Sequence, residues 1–246
     1  MFFPDALRAT FPENWPDALK ELSIPGVEVA LTSEDVTVLG HFNAFYMKHH
    51  VYSGQSTLSE EAQEAIHAAL DKYPDGVMPR LGLCSWKAST LVHEPARNFG
   101  DVMRTITQDD RRIGRALSAC AVADEGAVLH LRKWVDIPPW SEFRIFVKAG
   151  KIQGISQYFY KERFVEITDN IVRINAALYE FAQSHIAKLP LDTVIADVFV
   201  GAEPTRDLTG SDVVLIELNP FGEGTDPCLF SWRDPEGFDG RLRYLN

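Results

Sequence analysis

Two carboxylates and an amide stand where strands should be apolar. Asp197 sits between Ala196 and Val198 in the run DTVIADVFV, and Glu217 and Asn219 interrupt DVVLIELNPFGEGTD. Runs of this composition fill strands covered on both faces, where an ionised carboxylate costs several kcal/mol unless it is paired or holds a metal. Glu217 and Asn219 are two residues apart, so they project from the same face of a strand. The loop GAEPTRDLTGSD between the runs gives a register: antiparallel pairing about its middle, near Asp207, sets Asp197 opposite or nearly opposite Glu217. Facing carboxylates repel, so one takes a proton or both share a cation. With Asn219 as a neutral oxygen donor the set suits Mg²⁺ or Mn²⁺ rather than zinc. Magnesium in turn points to substrate phosphates, because it binds through a few carboxylates plus a nucleotide and keeps several waters. The residues by themselves leave two plainer arrangements open: Asp197 solvated at a strand end, and Glu217 in an ordinary ion pair with Arg144 or Lys133.

Such residues need a sheet to carry them. Between residues 128 and 159 three more strands are readable, VLHLRKWV, EFRIFVK and KIQGISQYF. The last two are separated only by Ala149 and Gly150, where glycine supplies the positive φ of a tight hairpin. Alternation places Phe143, Ile145 and Val147 on one face and Arg144, Phe146 and Lys148 on the other. One face is core, and the other offers two cations beside an aromatic ring. Residues 165–188 predict a long helix, with Ile167, Ile171, Ile174, Leu178 and Phe181 at helical spacing and Pro190 beyond its end.

Upstream, TLSEEAQEAIHAALDKYPDG predicts a helix with Thr57 and Glu60 as its capping box. NFGDVMRTITQ and DDRRIGRALSACA predict two shorter helices, Asn98 capping the first; VEVALTS, DVTVLG and VMPRLGL predict short strands. The expected organisation is two lobes sharing one site, residues 1–127 and 128–246, in the α+β class.

Composition bounds the partners. The 246 residues, 46% hydrophobic and 11% aromatic, are those of a folded chain. A formal charge of -11 argues against nucleic acid, whose binding draws on clustered Lys and Arg releasing counterions. Cys84, Cys120 and Cys228 are too few and too far apart for a disulfide framework or a zinc site, and read as reduced core thiols. Pro4 and Asp5 interrupt any signal-peptide core, and no apolar run approaches the ~20 residues that cross a bilayer. The expectation is a cytoplasmic protein with no membrane partner.

The order of blocks LHLRKWVDIPPWSEFRIFVKAGKIQGISQYF, DVFV and LIELNPFGEGTDPCLFSW resembles the cell division cycle 123 family, whose members read LVLRKW, EFRCFVK, GISQ and LIDFNPFGEVTDSLLFTW. The resemblance runs from about residue 128 to 232, with a weaker extension through MPRLGLCSWKA. It implies an ATP-grasp fold, with Mg-ATP held in a cleft against an antiparallel sheet, and a role in assembling translation initiation factor 2 through its gamma subunit. It puts Asp197, Glu217 and Asn219 on the family's metal positions, Glu217 replacing the usual Asp. Arg132, Lys133 and Trp134 fall on the strand bordering adenine, and Arg144 faces the phosphates as the catalytic cation. Arg80 replaces a family lysine at a phosphate contact, a fork in place of a point charge; Lys87 is a second candidate in that loop.

Two departures bear on function. The family's SQRDY is SQYFY here, so Tyr158 and Phe159 replace an Arg-Asp pair, and the expectation is of a chain lacking the family's acidic C-terminal extension. In NPFGEGTD, Gly222 and Gly224 permit a tight path, and Glu223, Thr225 and Asp226 either line the site or merely end the sheet. The expected function is a nucleotide-dependent binding or assembly factor. The alternatives are an ATP-dependent ligase joining a carboxylate to an amine or thiol through an acylphosphate, and a non-catalytic remnant without nucleotide.

Overall fold

A computed structural model describes every residue except 1–4, 53, 55, 83, 87–92, 190 and 192. In chain order the first elements are α1 (Asp5–Arg8), α2 (Asp17–Lys20), β1 (Gly26–Leu31), α3 (Ser33–Gly40), α4 (Ala44–Met47), α5 (Glu60–Lys72), β2 (Val77–Leu81), α6 (Phe99–Ile106), α7 (Arg111–Ala123) and β3 (Ala127–Lys133). There follow β4 (Glu142–Lys148), β5 (Lys151–Gln157), α8 (Val165–Phe181), β6 (Val194–Val200), β7 (Val213–Asn219) and β8 (Leu242–Arg243).

The chain divides into two compact units, Met1–Glu13 with Pro25–Val135, and Asn14–Ile24 with Asp136–Asn246. The division falls after residue 135 rather than 127, because β3 pairs with both β1 and β2. Residues 14–24 go to the second unit for an equally local reason. The Ser23 hydroxyl donates to the Leu215 carbonyl at 2.8 Å, the Leu215 amide donates to the Leu22 carbonyl at 2.8 Å, and Trp15 and Leu19 are buried in that unit's core.

In the first unit the antiparallel sheet has the order β1-β3-β2, and its apolar face packs Val29, Leu129 and Leu131 against buried residues of α3, α5, α6 and α7. DVTVLG, expected as a strand, lies in α3. Thr32 and Asp35 form a capping box, with the Asp35 amide donating to the Thr32 hydroxyl at 3.1 Å and the Thr32 amide to the Asp35 carboxylate at 3.0 Å. That cap and the burial of Val36 and Leu39 outweigh the strand preference of the β-branched residues. The cap of α5 is Ser59, not Thr57, and Asn98 caps α6 as expected.

Asp35 joins the two caps. Fully buried, its carboxylate accepts from the Thr32 amide and hydroxyl and from the Ser59 amide and hydroxyl, the last two at 2.6 and 2.8 Å. Burial pushes its pKa up, but these donors outweigh it and leave it below the ordinary carboxylate value. Asp35→Ala is expected to lose about 2–3 kcal/mol, since hydrogen bonds to a charged group are removed and buried donors stranded. Because the folded pKa is depressed, this stability is present above the ordinary carboxylate range and disappears as pH falls through the folded value. Urea unfolding of both proteins should therefore show the difference unchanged from neutral pH down to the ordinary carboxylate range and shrinking as pH falls below that range.

In the second unit the sheet order is β7-β6-β4-β5-β8, antiparallel except for the short parallel β8. The β4–β5 turn has positive φ at both Ala149 (50°) and Gly150 (67°), the pair of left-handed residues such a hairpin requires. Phe143, Ile145 and Val147 face the core with Ile167, Ile174, Leu178 and Phe181 of α8. Residues 165–188 are not one uniform helix. Asn170 departs from helical geometry (φ -122°, ψ 16°), and a π-helical turn, Ala182–Ile186, follows α8; Pro190 lies outside the described residues. Among the described residues no helix is long and apolar enough to cross a membrane.

Candidate functional site

The sheet of the second unit carries a polar row on the face away from α8. Cross-strand partners run Glu217–Asp197–Arg144–Ser156–Arg243 over β7, β6, β4, β5 and β8, and directly opposed residues point to the same side. The expected pairing of Asp197 with Glu217 is present. A β-bulge at that point shifts the register, so that Val198 pairs with Leu215 while Asp197 pairs with Glu217. The extra residue, Ile216, re-aims the strand. Leu215 thereby enters the core, although it lies only two residues from Glu217.

Arg144 holds Asp197 with both arms of its fork: Nε donates to Oδ1 and Nη2 to Oδ2, each at 2.7 Å. Its remaining nitrogen, Nη1, donates to the Asp226 carbonyl at 2.6 Å, and its guanidinium lies 5.0 Å from the Tyr158 ring centroid. Asp197 is 1% exposed, Arg144 4% and Glu217 8%. Burial alone lowers the Arg144 pKa, but the hydrogen bond and charge of Asp197 raise it overall. Arg144 thus pairs with Asp197.

The two acids converge. Asn219 Nδ2 donates to Asp197 Oδ2 at 3.1 Å and to Glu217 Oε1 at 3.4 Å, so one small donor reaches both carboxylates. Rotating that amide presents its oxygen instead, giving two carboxylates and a neutral oxygen about one point. This donor set fits a hard divalent cation that completes its shell with phosphate and water. Among the described residues no group of three or more His, Cys, Asp or Glu is placed to hold a metal.

A loop backs the row. Thr225 donates its hydroxyl to the Pro220 carbonyl at 2.8 Å and accepts the Trp232 indole N–H on its carbonyl at 2.7 Å; Asp226 accepts from the Cys228 amide and the Tyr160 hydroxyl. In NPFGEGTD, Thr225 and Asp226 therefore build the loop, and Phe221 and Trp232 join Phe146, Phe230 and Phe238 in an aromatic cluster. Burial pushes the Cys228 thiol up to about 12, with the charges of Arg144, Asp197 and Asp226 acting in opposing directions. It is not a thiolate nucleophile at neutral pH.

The other nucleotide candidates belong to the first unit. Arg80 and Arg132, 4% and 6% exposed, lie on the polar side of its sheet, where Arg80 and Glu28 both pair with His130. His130 Nε2 is 2.8 Å from Glu13 Oε2. Lys133 is exposed and Trp134 half-buried. Their amides donate to the carbonyls of Pro25 and Gly76, so any recognition of a base there uses other backbone groups. Lys87 lies outside the described residues. Ser156 and Arg243 were not among the expected site groups, and the cross-strand register brings them into the row of Arg144; Tyr158, from SQYFY, and the Asp226 carbonyl, from the NPFGEGTD loop, reach Arg144 from outside the strands.

Comparison with known proteins gives one family. The D123 family model matches residues 48–239. A translation initiation factor eIF2 assembly protein of Xenopus laevis is 36% identical over 107 residues, 43% of this chain and 30% of the relative. Cell division cycle protein 123 of Eremothecium gossypii is 36% identical over 112 residues, 43% of this chain and 28% of the relative. These matches span less than a third of the relatives' length. The solved structure of Cdc123 from Schizosaccharomyces pombe superposes with a TM-score of 0.73 at 17% identity, covering 100% of this chain and 99% of that one. At that identity the likeness concerns the fold, the α+β arrangement of antiparallel sheets expected from the sequence.

Proposed function

The chain belongs to the D123, or cell division cycle 123, family, and from that premise we propose that it is a Mg-ATP-binding assembly factor of the cytoplasm, binding a protein client in a nucleotide-dependent way. The observation that carries the reading is the convergence of Asp197 and Glu217 on a single donor across β6 and β7. These acids and Asn219 are the ligands for magnesium, which when bound neutralises phosphate charge. In the same unit Arg144 is the cation for the phosphates. In the first unit Arg80 is the phosphate candidate, and the strand through Arg132, Lys133 and Trp134 is the candidate for the base.

A binding factor is favoured over a ligase by the loop. Thr225 and Asp226, which an acceptor substrate would need, are committed to Pro220, Trp232, Tyr160, Cys228 and Arg144. The relatives are named for assembly of eIF2, so the client class proposed is a subunit of that factor or a protein shaped like it.

Thermal melting tests the nucleotide. Mg-ATP at about 100 times its dissociation constant should add ~2.7 kcal/mol to the folded state, a rise of roughly 5–10 °C for a chain of this size. The rise should vanish in Asp197→Asn, each protein compared with itself. A wild-type melting curve that ignores Mg-ATP sinks the proposal. Pull-down of purified eIF2 subunits with and without Mg-ATP then tests the client; retention unaffected by nucleotide leaves no assembly cycle to propose.

A further inference from the structure

Every ionised group in the polar row of the second unit already has a partner, and this constrains what can enter. Both oxygens of Asp197 are taken by Arg144 at 2.7 Å, and Asn219 lies against Asp197 and Glu217 together. The guanidinium is held from two further sides, by the Asp226 carbonyl at 2.6 Å and by the ring of Tyr158. We infer that Arg144 is an internal counter-cation that makes this site select a metal–polyphosphate complex over the free divalent ion. The inference rests on the metal reading of Asp197, Glu217 and Asn219 given above and adds an order of preference to it.

The two ligands differ in what each leaves behind. A free divalent ion reaching Asp197 must detach a bidentate, charge-assisted partner that is itself 4% exposed, and leaves that guanidinium buried without an anion. A polyphosphate arriving with the metal supplies the missing anion. The fork moves from carboxylate to phosphate, two groups it binds with the same geometry, while the freed carboxylate takes the metal. Tyr158 is a positioning residue in this exchange, since its ring keeps the guanidinium beside Asp197. Arg144 therefore opposes metal binding when the metal comes alone and supports it when phosphate comes too.

The test measures Mn²⁺ retained with the protein in equilibrium dialysis, with and without β,γ-methylene ATP present on both sides of the membrane, the excess on the protein side being the bound ion. Wild type should bind Mn²⁺ alone at least about tenfold more weakly than Mn²⁺ with the analogue. Arg144→Met should tighten binding of Mn²⁺ alone by about tenfold or more, because Asp197 then lacks its competitor, and adding Asp197→Asn should abolish the gain. Arg144→Lys keeps the charge but loses the fork, so it should fold where Arg144→Met does not, and should show a smaller gain of the same sign. Folded variants, judged by circular dichroism, that bind Mn²⁺ alone no tighter than wild type overturn the inference, as does wild type that binds Mn²⁺ equally well with and without the analogue. If wild type binds the complex and only the variants fail to gain, the metal site stands and the counter-cation does not. If wild type binds no Mn²⁺ under either condition, both fall together.

Discussion

Arg144→Met is expected to cost about 3–5 kcal/mol of folding stability, the range for breaking a buried ion pair from one side. With roughly 2–4 °C per kcal/mol in a chain of this size, the melting temperature should fall by about 6–20 °C. The loss comes less from the pair's attraction than from Asp197, 1% exposed, losing the bidentate partner that holds both its oxygens. Replacing both partners with apolar residues removes that penalty, so Arg144→Met with Asp197→Leu should recover most of the loss. Urea unfolding of the two single variants and the double variant completes the cycle. A double variant as unstable as the sum of the singles would show that the two residues act independently, against the bidentate geometry.

Phe146→Ala should cost a similar amount, about 3–5 kcal/mol for a large aromatic truncated in a core. Phe146 is fully buried, with ring centroids of Phe230 and Phe238 each at 5.3 Å, Trp232 at 6.1 Å and Phe221 at 6.4 Å. The cluster is tight beneath as well: a Cβ at Gly154, the cross-strand partner of Phe146, would stand 2.3 Å from the Phe230 ring. The effect should extend beyond stability, because Trp232 anchors the Thr225 carbonyl and the next residue, Asp226, supplies the carbonyl that holds Arg144. Phe146→Ala is therefore expected to weaken Mg-ATP binding measured by calorimetry at a temperature where it remains folded. Ile66→Ala, fully buried in the first unit's core, also removes core packing and should leave that affinity unchanged. Equal affinity in Phe146→Ala and wild type would separate the aromatic cluster from the site.

Much of the second unit can be read along the chain, because its signals are local. Apolar runs broken by acids mark β6 and β7, the loop length sets their register, and Ala149-Gly150 marks the hairpin. The partner of Asp197 is harder to see, since Arg144 lies 53 residues away and meets it only through the β4–β6 register. Alternation shows which face of β4 carries Arg144 without showing which acid it meets. The bulge at Ile216 is also invisible in a pattern of uniform period two, yet it separates Leu215 from Glu217. In the first unit, DVTVLG misleads because Val36, Thr37 and Val38 favour a strand, while the deciding signal, Thr32 three residues before Asp35, lies at the edge of that run. A buried aspartate that binds its own helix start and a second one, capped 24 residues further on, has no local signature at all.

The short N-terminal segment of the second unit has a consequence for biosynthesis. Ser23 and its carbonyl partner on Leu215 are 192 residues apart, and at about 5–20 residues per second the ribosome needs roughly 10–40 s to travel between them. Trp15 and Leu19 emerge before any residue of β4, β6 or β7, and through that interval they have no core to enter. The strands of the first unit, by contrast, are all synthesised by residue 133. The unit that contributes the earlier of the two core segments is thus the later to close, and a ribosome stalled before residue 215 would hold a chain whose first tryptophan still awaits its place.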